Sequence, residues 1–258
     1  MELSKQRIVI TGGGRGIGAA IAEALAQQGA AVVVAARSRD EIEATAQALG
    51  EQGHRAYAVP CDVTDAASIA SLYEAAEEHL GGVDVLVNNA GIGFSAPLKA
   101  VRASDWERVF AVNVTGTFLC TQVFLPAMIE RGWGRIVNVA SVAGKFGAPY
   151  ISTYAASKHA VIGFTRSIAA EVAKTGVTVN AVCPGFVETE MVVESVDRIV
   201  DKTGLSEQEA RHSLARNSPQ ERIFEASEVA YQVQCLCDPR ARGVNGQALV
   251  LDGGAIQS

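Results

Sequence analysis

The chain has 258 residues, 48% of them hydrophobic and 19% charged, with a formal net charge of −6. A chain of this size buries enough surface to fold without disulfides or a structural metal, and one α/β domain spanning residues 1–258 accounts for its length. The acidic balance argues against a nucleic-acid partner, which would call for a basic face.

The N-terminal run MELSKQRIVITGGG lacks a basic-then-apolar leader, and no apolar run approaches the ~18 residues of a membrane-crossing helix. A soluble, cytoplasmic protein with no membrane partner is therefore expected. Short apolar strands then alternate with helices. Residues 7–11 read as the first strand, and a helix follows over 16–28. The next strand is 31–36, with a helix opened by Ser38 and Glu41 in a capping-box arrangement. Further strands are expected at 56–62, 83–88, 135–140, 177–183 and 248–251. Ser104 and Glu107 repeat the capping-box spacing before a long helix that carries Trp106 to Arg131. Strands this apolar, each followed by a helix, predict a doubly wound parallel sheet of about seven strands covered on both faces. Ligands of such sheets bind outside the carboxyl ends of the strands. Residues 188–219 break the rhythm: they are polar and helical but lead into no strand, and are expected to form a lid over the ligand crevice.

The first strand runs into Gly12-x-x-x-Gly16-x-Gly18, with Arg15 and Ile17 between the glycines. Such a turn lets the backbone approach a pyrophosphate, while the following helix offers free N–H groups and its positive dipole end. At the end of the second strand an NAD site usually presents a carboxylate to the ribose. Here no acid precedes Asp40, which is assigned to the next helix; Arg37 stands there instead, with Arg39 and Arg15 nearby. Guanidinium groups bind phosphate oxygens, so the expected cofactor is NADP(H).

Tyr154 and Lys158 lie one helical turn apart in YAASK, on one face of a helix. A phenol titrates near 10, and a neighbouring cation is expected to lower that value and fit the phenol for proton transfer at a carbonyl. The five cysteines are scattered through apolar segments and read as buried free thiols, and neither they nor the four histidines make a metal pattern. His159 points away from Lys158 and is assigned a surface or packing role.

Taken together these motifs resemble the short-chain dehydrogenase/reductase family over nearly the whole chain. The resemblance implies that Asp62 and Val63 contact the adenine, and that Asn89, Ala90 and Gly91 support the sheet and cofactor. It makes Asn113, Ser141, Tyr154 and Lys158 a catalytic tetrad, and sets Pro184, Gly185, Val187 and Thr189 in the loop beside the nicotinamide. Ser141 would polarise the substrate carbonyl, Tyr154 give the proton, Lys158 also bind the nicotinamide ribose, and Asn113 hold a relaying water. It further implies a homotetramer built through the helices at 106–131 and 154–175, with a second interface at the C-terminal strand.

The run CPGFVETEM, Cys183 to Met191, is similar to that of ketoreductases acting on 3-oxoacyl thioesters. Two departures bear on the substrate carrier. Ile92-Gly93-Phe94-Ser95 lacks a proline-and-glycine run found in some polyketide enzymes, and the expected carrier-docking positions are Gly132 and Thr175, with Arg131 and Lys174 one place away. An acyl carrier protein, a CoA ester and a free ketone thus remain open. Met191, Val192, Val193, Val196, Ile199 and Val200 read either as an apolar substrate wall or as packing, and Phe94, Ala143, Phe146 and Tyr150 as further pocket positions. Two other activities compete: an NAD(P)-dependent dehydrogenase of a small, cyclic or steroid-like alcohol, and a non-catalytic nucleotide sensor. A sensor needs no proton donor, and Ser141, Tyr154 and Lys158 argue against it.

Overall fold

The computed structural model describes residues 3–257. Its strands are β1 (Arg7–Thr11), β2 (Ala31–Ala36), β3 (Ala56–Pro60), β4 (Val85–Asn88), β5 (Gly134–Val139), β6 (Val177–Pro184) and β7 (Ala248–Leu251). All are parallel, in the spatial order β3-β2-β1-β4-β5-β6-β7. The helices are α1 (Gly16–Gln27), α2 (Arg39–Glu51), α3 (Ala66–Leu80), α4 (Ala103–Phe110), α5 (Gly116–Glu130), α6 (Ser152–Glu171), α7 (Glu190–Thr203), α8 (Glu207–Ala215) and α9 (Ala226–Cys237). The doubly wound sheet is the one the sequence predicts.

Alternate strand residues point to opposite faces, and both faces are apolar because both are covered. Ile8 and Ile10 of β1 meet Ile21 and Leu25 of α1, Ile42 of α2 and Val229 and Val233 of α9. Val9, between them, joins Ile69 and Leu72 of α3 with Phe124 and Met128 of α5 on the other side. Each such side chain contributes about 1.5–3 kcal/mol by leaving water. Four of the five cysteines are buried and all five are free thiols, as expected.

Several local expectations are corrected. Ser38 does precede α2, but its side chain makes no capping bond; Asp40 and Glu41 instead place negative charge in the first turn. The second capping box shifts by two residues, to Arg102 and Asp105. The Asp105 carboxylate accepts from the Arg102 N–H at 3.3 Å and from its guanidinium at 2.8 Å. The long helix is not uniform: residues Ala111–Thr115 form a π-turn between α4 and α5. Across Ala103–Glu130 an 18-residue window has mean hydropathy 1.4, long and apolar enough by composition to cross a membrane, contrary to expectation. Cys120, Phe124 and Met128 show the source of that apolarity, since they pack on the sheet.

The 188–219 segment folds as a hairpin of α7 and α8. Val192 and Val196 are buried against Ala210 and Leu214, with Ile199 and Val200 packed beside them. Packing is therefore the right reading for these residues, whereas Met191 and Val193 keep exposed faces.

Candidate active site

The chain leaves β1 and β4 on opposite sides of the sheet, so a crevice opens at their carboxyl ends, the switch point where α/β sheets bind ligands. The glycine turn sits there. A Cβ on Gly18 would lie 2.0 Å from the Gly12 carbonyl oxygen, so only glycine lets α1 start this close to β1. Asn89, just past β4, donates through Nδ2 to the carbonyls of Thr11 (3.0 Å) and Gly12 (2.9 Å). Thr11 Oγ1 in return accepts from the N–H groups of Asn89 and Ala90, each at 3.1 Å. Arg15 occupies the N-cap of α1 without a side-chain capping bond, and no acid stands in the first turn. The free N–H groups and positive dipole end thus fit a pyrophosphate, with Gly16 in the turn and Ile17 packed on the core.

Arg37 is exposed at the end of β2, and its charge helps hold the Asp62 carboxyl below the usual range; hydrogen bonds from Thr64 are the larger cause. Those bonds, at 2.9 Å to the main chain and 2.7 Å to Oγ1, fix Asp62 in a tight turn after β3. Val63 is buried. Val187 is buried too, its backbone bridged to Phe224 and its carbonyl accepting from Thr189 Oγ1 at 3.1 Å. Pro184 ends β6, Gly185 bonds through its N–H to Leu251 at 2.8 Å, and Thr189 caps α7.

The four expected catalytic residues converge at the carboxyl ends of β4, β5 and β6. Ser141 follows β5, and its Oγ accepts from the Ala143 N–H at 3.1 Å. The Tyr154 phenol lies near enough to the Ser141 side chain for that hydroxyl to bear on its titration, and Ser141 Oγ itself donates to the Pro184 carbonyl at 3.5 Å. Lys158 is buried, with Nζ donating to the Val139 carbonyl at 2.9 Å and lying 5.8 Å from the Tyr154 ring centroid. Gly91 completes the wall: a Cβ there would sit 3.5 Å from Lys158 Nζ.

Asn113 lies in the π-turn, the kind of helix defect that re-aims a side chain at a functional site. Its Oδ1 accepts from the Ile92 N–H at 2.8 Å, while Nδ2 donates to the Ile92 carbonyl (3.0 Å) and to Ser157 Oγ (3.1 Å). Both amide protons are thereby engaged, and the side chain braces the 90–92 loop. Ser157 donates to the Tyr154 carbonyl at 2.7 Å, so one hydroxyl joins Asn113 to the tyrosine backbone.

The electrostatics reverse one expectation. Burial pushes the Tyr154 phenol above its ordinary 10, with the Ser141 hydrogen bond pulling partly the other way. Burial also brings the Lys158 ammonium down to about 8. Removing the charged forms from water outweighs the attraction the sequence spacing suggests. His159 turns its Nδ1 to the Ala155 carbonyl, 2.9 Å away, consistent with a packing role.

The lid reaches the crevice at three points. Met191 covers Gly93, Arg198 donates to Ser95 Oγ at 2.6 Å, and Glu190 pairs with Arg15. The Ala96 N–H donates to the Tyr150 carbonyl at 2.8 Å, joining the two loops that flank the crevice mouth. Ala143 is buried and Phe94 half-buried, whereas Phe146 and Tyr150 are exposed. Sequence reasoning missed Ser157, Glu190 and Arg198, whose roles depend on contacts between distant segments.

Residues 6–200 match the family model described as short chain dehydrogenase. The chain is 42% identical over 248 residues to a putative ketoacyl reductase of Streptomyces coelicolor, covering 95% of each. It is 38% identical to a 3-oxoacyl-[acyl-carrier-protein] reductase of Vibrio cholerae, covering 98% of each. Among solved structures, a variant of actinorhodin polyketide ketoreductase with NADPH superimposes with a TM-score of 0.94, at 40% identity and 99% coverage of both chains. With its glycine turn, converging hydroxyls and buried lysine on a seven-stranded parallel sheet, the chain belongs to the short-chain dehydrogenase family of oxidoreductases.

Proposed function

We propose that this protein is an NADPH-dependent ketoreductase that reduces a 3-oxoacyl thioester, or a related ketone, to the hydroxy product. The observation that carries the reading is the buried Lys158 held behind Tyr154, 5.8 Å from its ring centroid, with Ser141 at the end of the neighbouring strand and the glycine turn beside them. The similarity to ketoacyl reductases supports the same substrate class.

Asn89, Ala90, Gly91, Gly12, Gly16, Gly18, Pro184, Gly185 and Thr189 would hold the dinucleotide, with Arg15 and Arg37 on a 2′-phosphate. The bound cofactor supplies the hydride. Ser141 and Tyr154 together receive the carbonyl oxygen and stabilise the charge that develops on it. A phenol that burial pushes above its ordinary range remains protonated at neutral pH, as a proton donor must in the reductive direction. Once Tyr154 has given its proton, the nearby Lys158 ammonium stabilises the phenolate. Burial lowers the pKa of that lysine to about 8, which still leaves it mostly charged at pH 7. Asn113 and Ser157 hold the loop and helix that carry these groups.

The Arg131 guanidinium turns back to the Val83 carbonyl, which favours a CoA ester or free ketone over a docked carrier protein. Phe118 and Ile129 remain exposed on α5 and support a homotetramer in which this helix pairs between subunits. The test is a panel of β-ketoacyl-CoA, carrier-bound and cyclic ketones assayed with NADPH and NADH. Faster turnover of the CoA esters with NADPH supports the proposal. Oxidation of small alcohols with NAD+, and no ketone reduction, contradicts it.

A further inference from the structure

We propose that Glu190, the first residue of the lid helix α7, sets how strongly this site discriminates between NADPH and NADH, and does so by competing for Arg15. The inference rests on the reading of Arg15 as a ligand of the 2′-phosphate. Arg15 caps α1 inside the glycine turn, where its guanidinium pairs with Glu190 and lies 3.7 Å from Glu41 of α2. The lid is seated on that turn, since a Cβ on Gly16 would come within 3.2 Å of the Thr189 methyl. Thr189 thus sets the backbone of Glu190 beside Arg15, while the carboxylate itself stays more than half exposed.

A 2′-phosphate must share or displace Glu190 to reach Arg15. It can do so because it carries about two charges and three acceptor oxygens against the single charge of a carboxylate. NADH has no such group and leaves the pair intact. Glu190 thus weakens NADPH binding selectively, and phosphate capture frees the first turn of the lid from the glycine turn. The hairpin stays anchored meanwhile, because Arg198 holds Ser95 and the Glu188 N–H donates to the Phe224 carbonyl at 2.8 Å. The second carboxylate, Glu41, acts in the same direction but more weakly at its longer distance.

Both members of the Arg15–Glu190 pair are more than half exposed, so the expected effect is modest, about two- to fivefold in affinity. The test measures dissociation constants for NADPH and NADH by fluorescence titration, at low and high salt, for the wild type, Glu190→Gln and Glu41→Gln. Glu190→Gln should tighten NADPH binding by that factor at low salt, leave NADH unchanged, and lose the difference at high salt; Glu41→Gln should do less. Equal changes for both nucleotides, or none for either, overturn the proposal. The underlying reading fails separately: wild-type protein that binds NADH far more tightly than NADPH sinks the NADPH assignment. The role of Glu190 is even then judged by whether Glu190→Gln shifts the ratio of the two constants.

Discussion

Lys158 donates its ammonium proton to the Val139 carbonyl at 2.9 Å, at the end of β5, and so stands behind Tyr154 without bonding its hydroxyl. A cation in that place does little for a neutral phenol, yet it opposes the charge of the phenolate formed on proton transfer. Stabilising the phenolate in this way makes the proton easier to give up, against the upward push of burial on the phenol.

Its own burial gives a pH-dependent signature. A lysine held near 8 in the folded protein and near 10.5 in the unfolded chain binds fewer protons when folded over that interval. Stability of the cofactor-free protein should therefore rise between about pH 8 and pH 10.5, and Lys158→Met should abolish that rise. Below pH 8 the same variant should be more stable by on the order of 2 kcal/mol, the loss of the Val139 bond having offset part of the gain. It should also be inactive. Urea melts of both proteins near pH 7 and pH 10 check this, and parallel profiles would contradict it.

Ser157 positions both Asn113 and the Tyr154 backbone. Ser157→Ala should lower kcat by about tenfold while changing the NADPH dissociation constant little, because the cofactor turn is untouched. Ser157→Thr, which keeps the hydroxyl, should recover most of the rate. A loss confined to KM would show that the hydroxyl serves substrate binding instead.

Gly18 is set by backbone proximity. Its Cβ position lies 2.0 Å from the Gly12 carbonyl oxygen and 2.5 Å from Asn89 Nδ2. Gly18→Ala must push α1 away from β1, and should cost about 3 kcal/mol or more while abolishing cofactor binding. Calorimetry with nucleotide titration reads both, and wild-type affinity would refute the account.

Tyr150 holds a positive φ of 71°, a conformation that costs a non-glycine residue about 1–2 kcal/mol. Its side chain is exposed and returns little of that cost by packing. Tyr150→Gly should exceed Tyr150→Ala in stability by about 1 kcal/mol, since both lose the ring but only glycine relaxes. Equal melting temperatures would show that the strain is taken up elsewhere.

The fold was legible because its information is local. Runs such as Val32 to Val34 and Leu86 to Val87 are apolar on both faces, which marks covered parallel strands. The Tyr154–Lys158 spacing was equally plain, and the structure brings all four expected catalytic residues together. What escaped the sequence depends on burial and on contacts between remote segments. The segment Ala111–Thr115 reads like ordinary helix, and only the packing that carries Asn113 to Ile92 reveals the π-turn. The direction of the Tyr154 shift follows from what surrounds a half-buried ring in the folded chain, which spacing along a helix cannot express. The displaced capping box shows the limit from the other side, because Asp105 and Glu107 offer nearly equivalent carboxylates two residues apart.

The central claim is that the Tyr154 hydroxyl delivers the proton. Steady-state reduction of a β-ketoacyl-CoA with NADPH by Tyr154→Phe, beside a fluorescence titration of NADPH, tests it most directly. A fall in kcat of at least about a hundredfold is expected, with nearly unchanged nucleotide affinity. Turnover at the wild-type rate would contradict it.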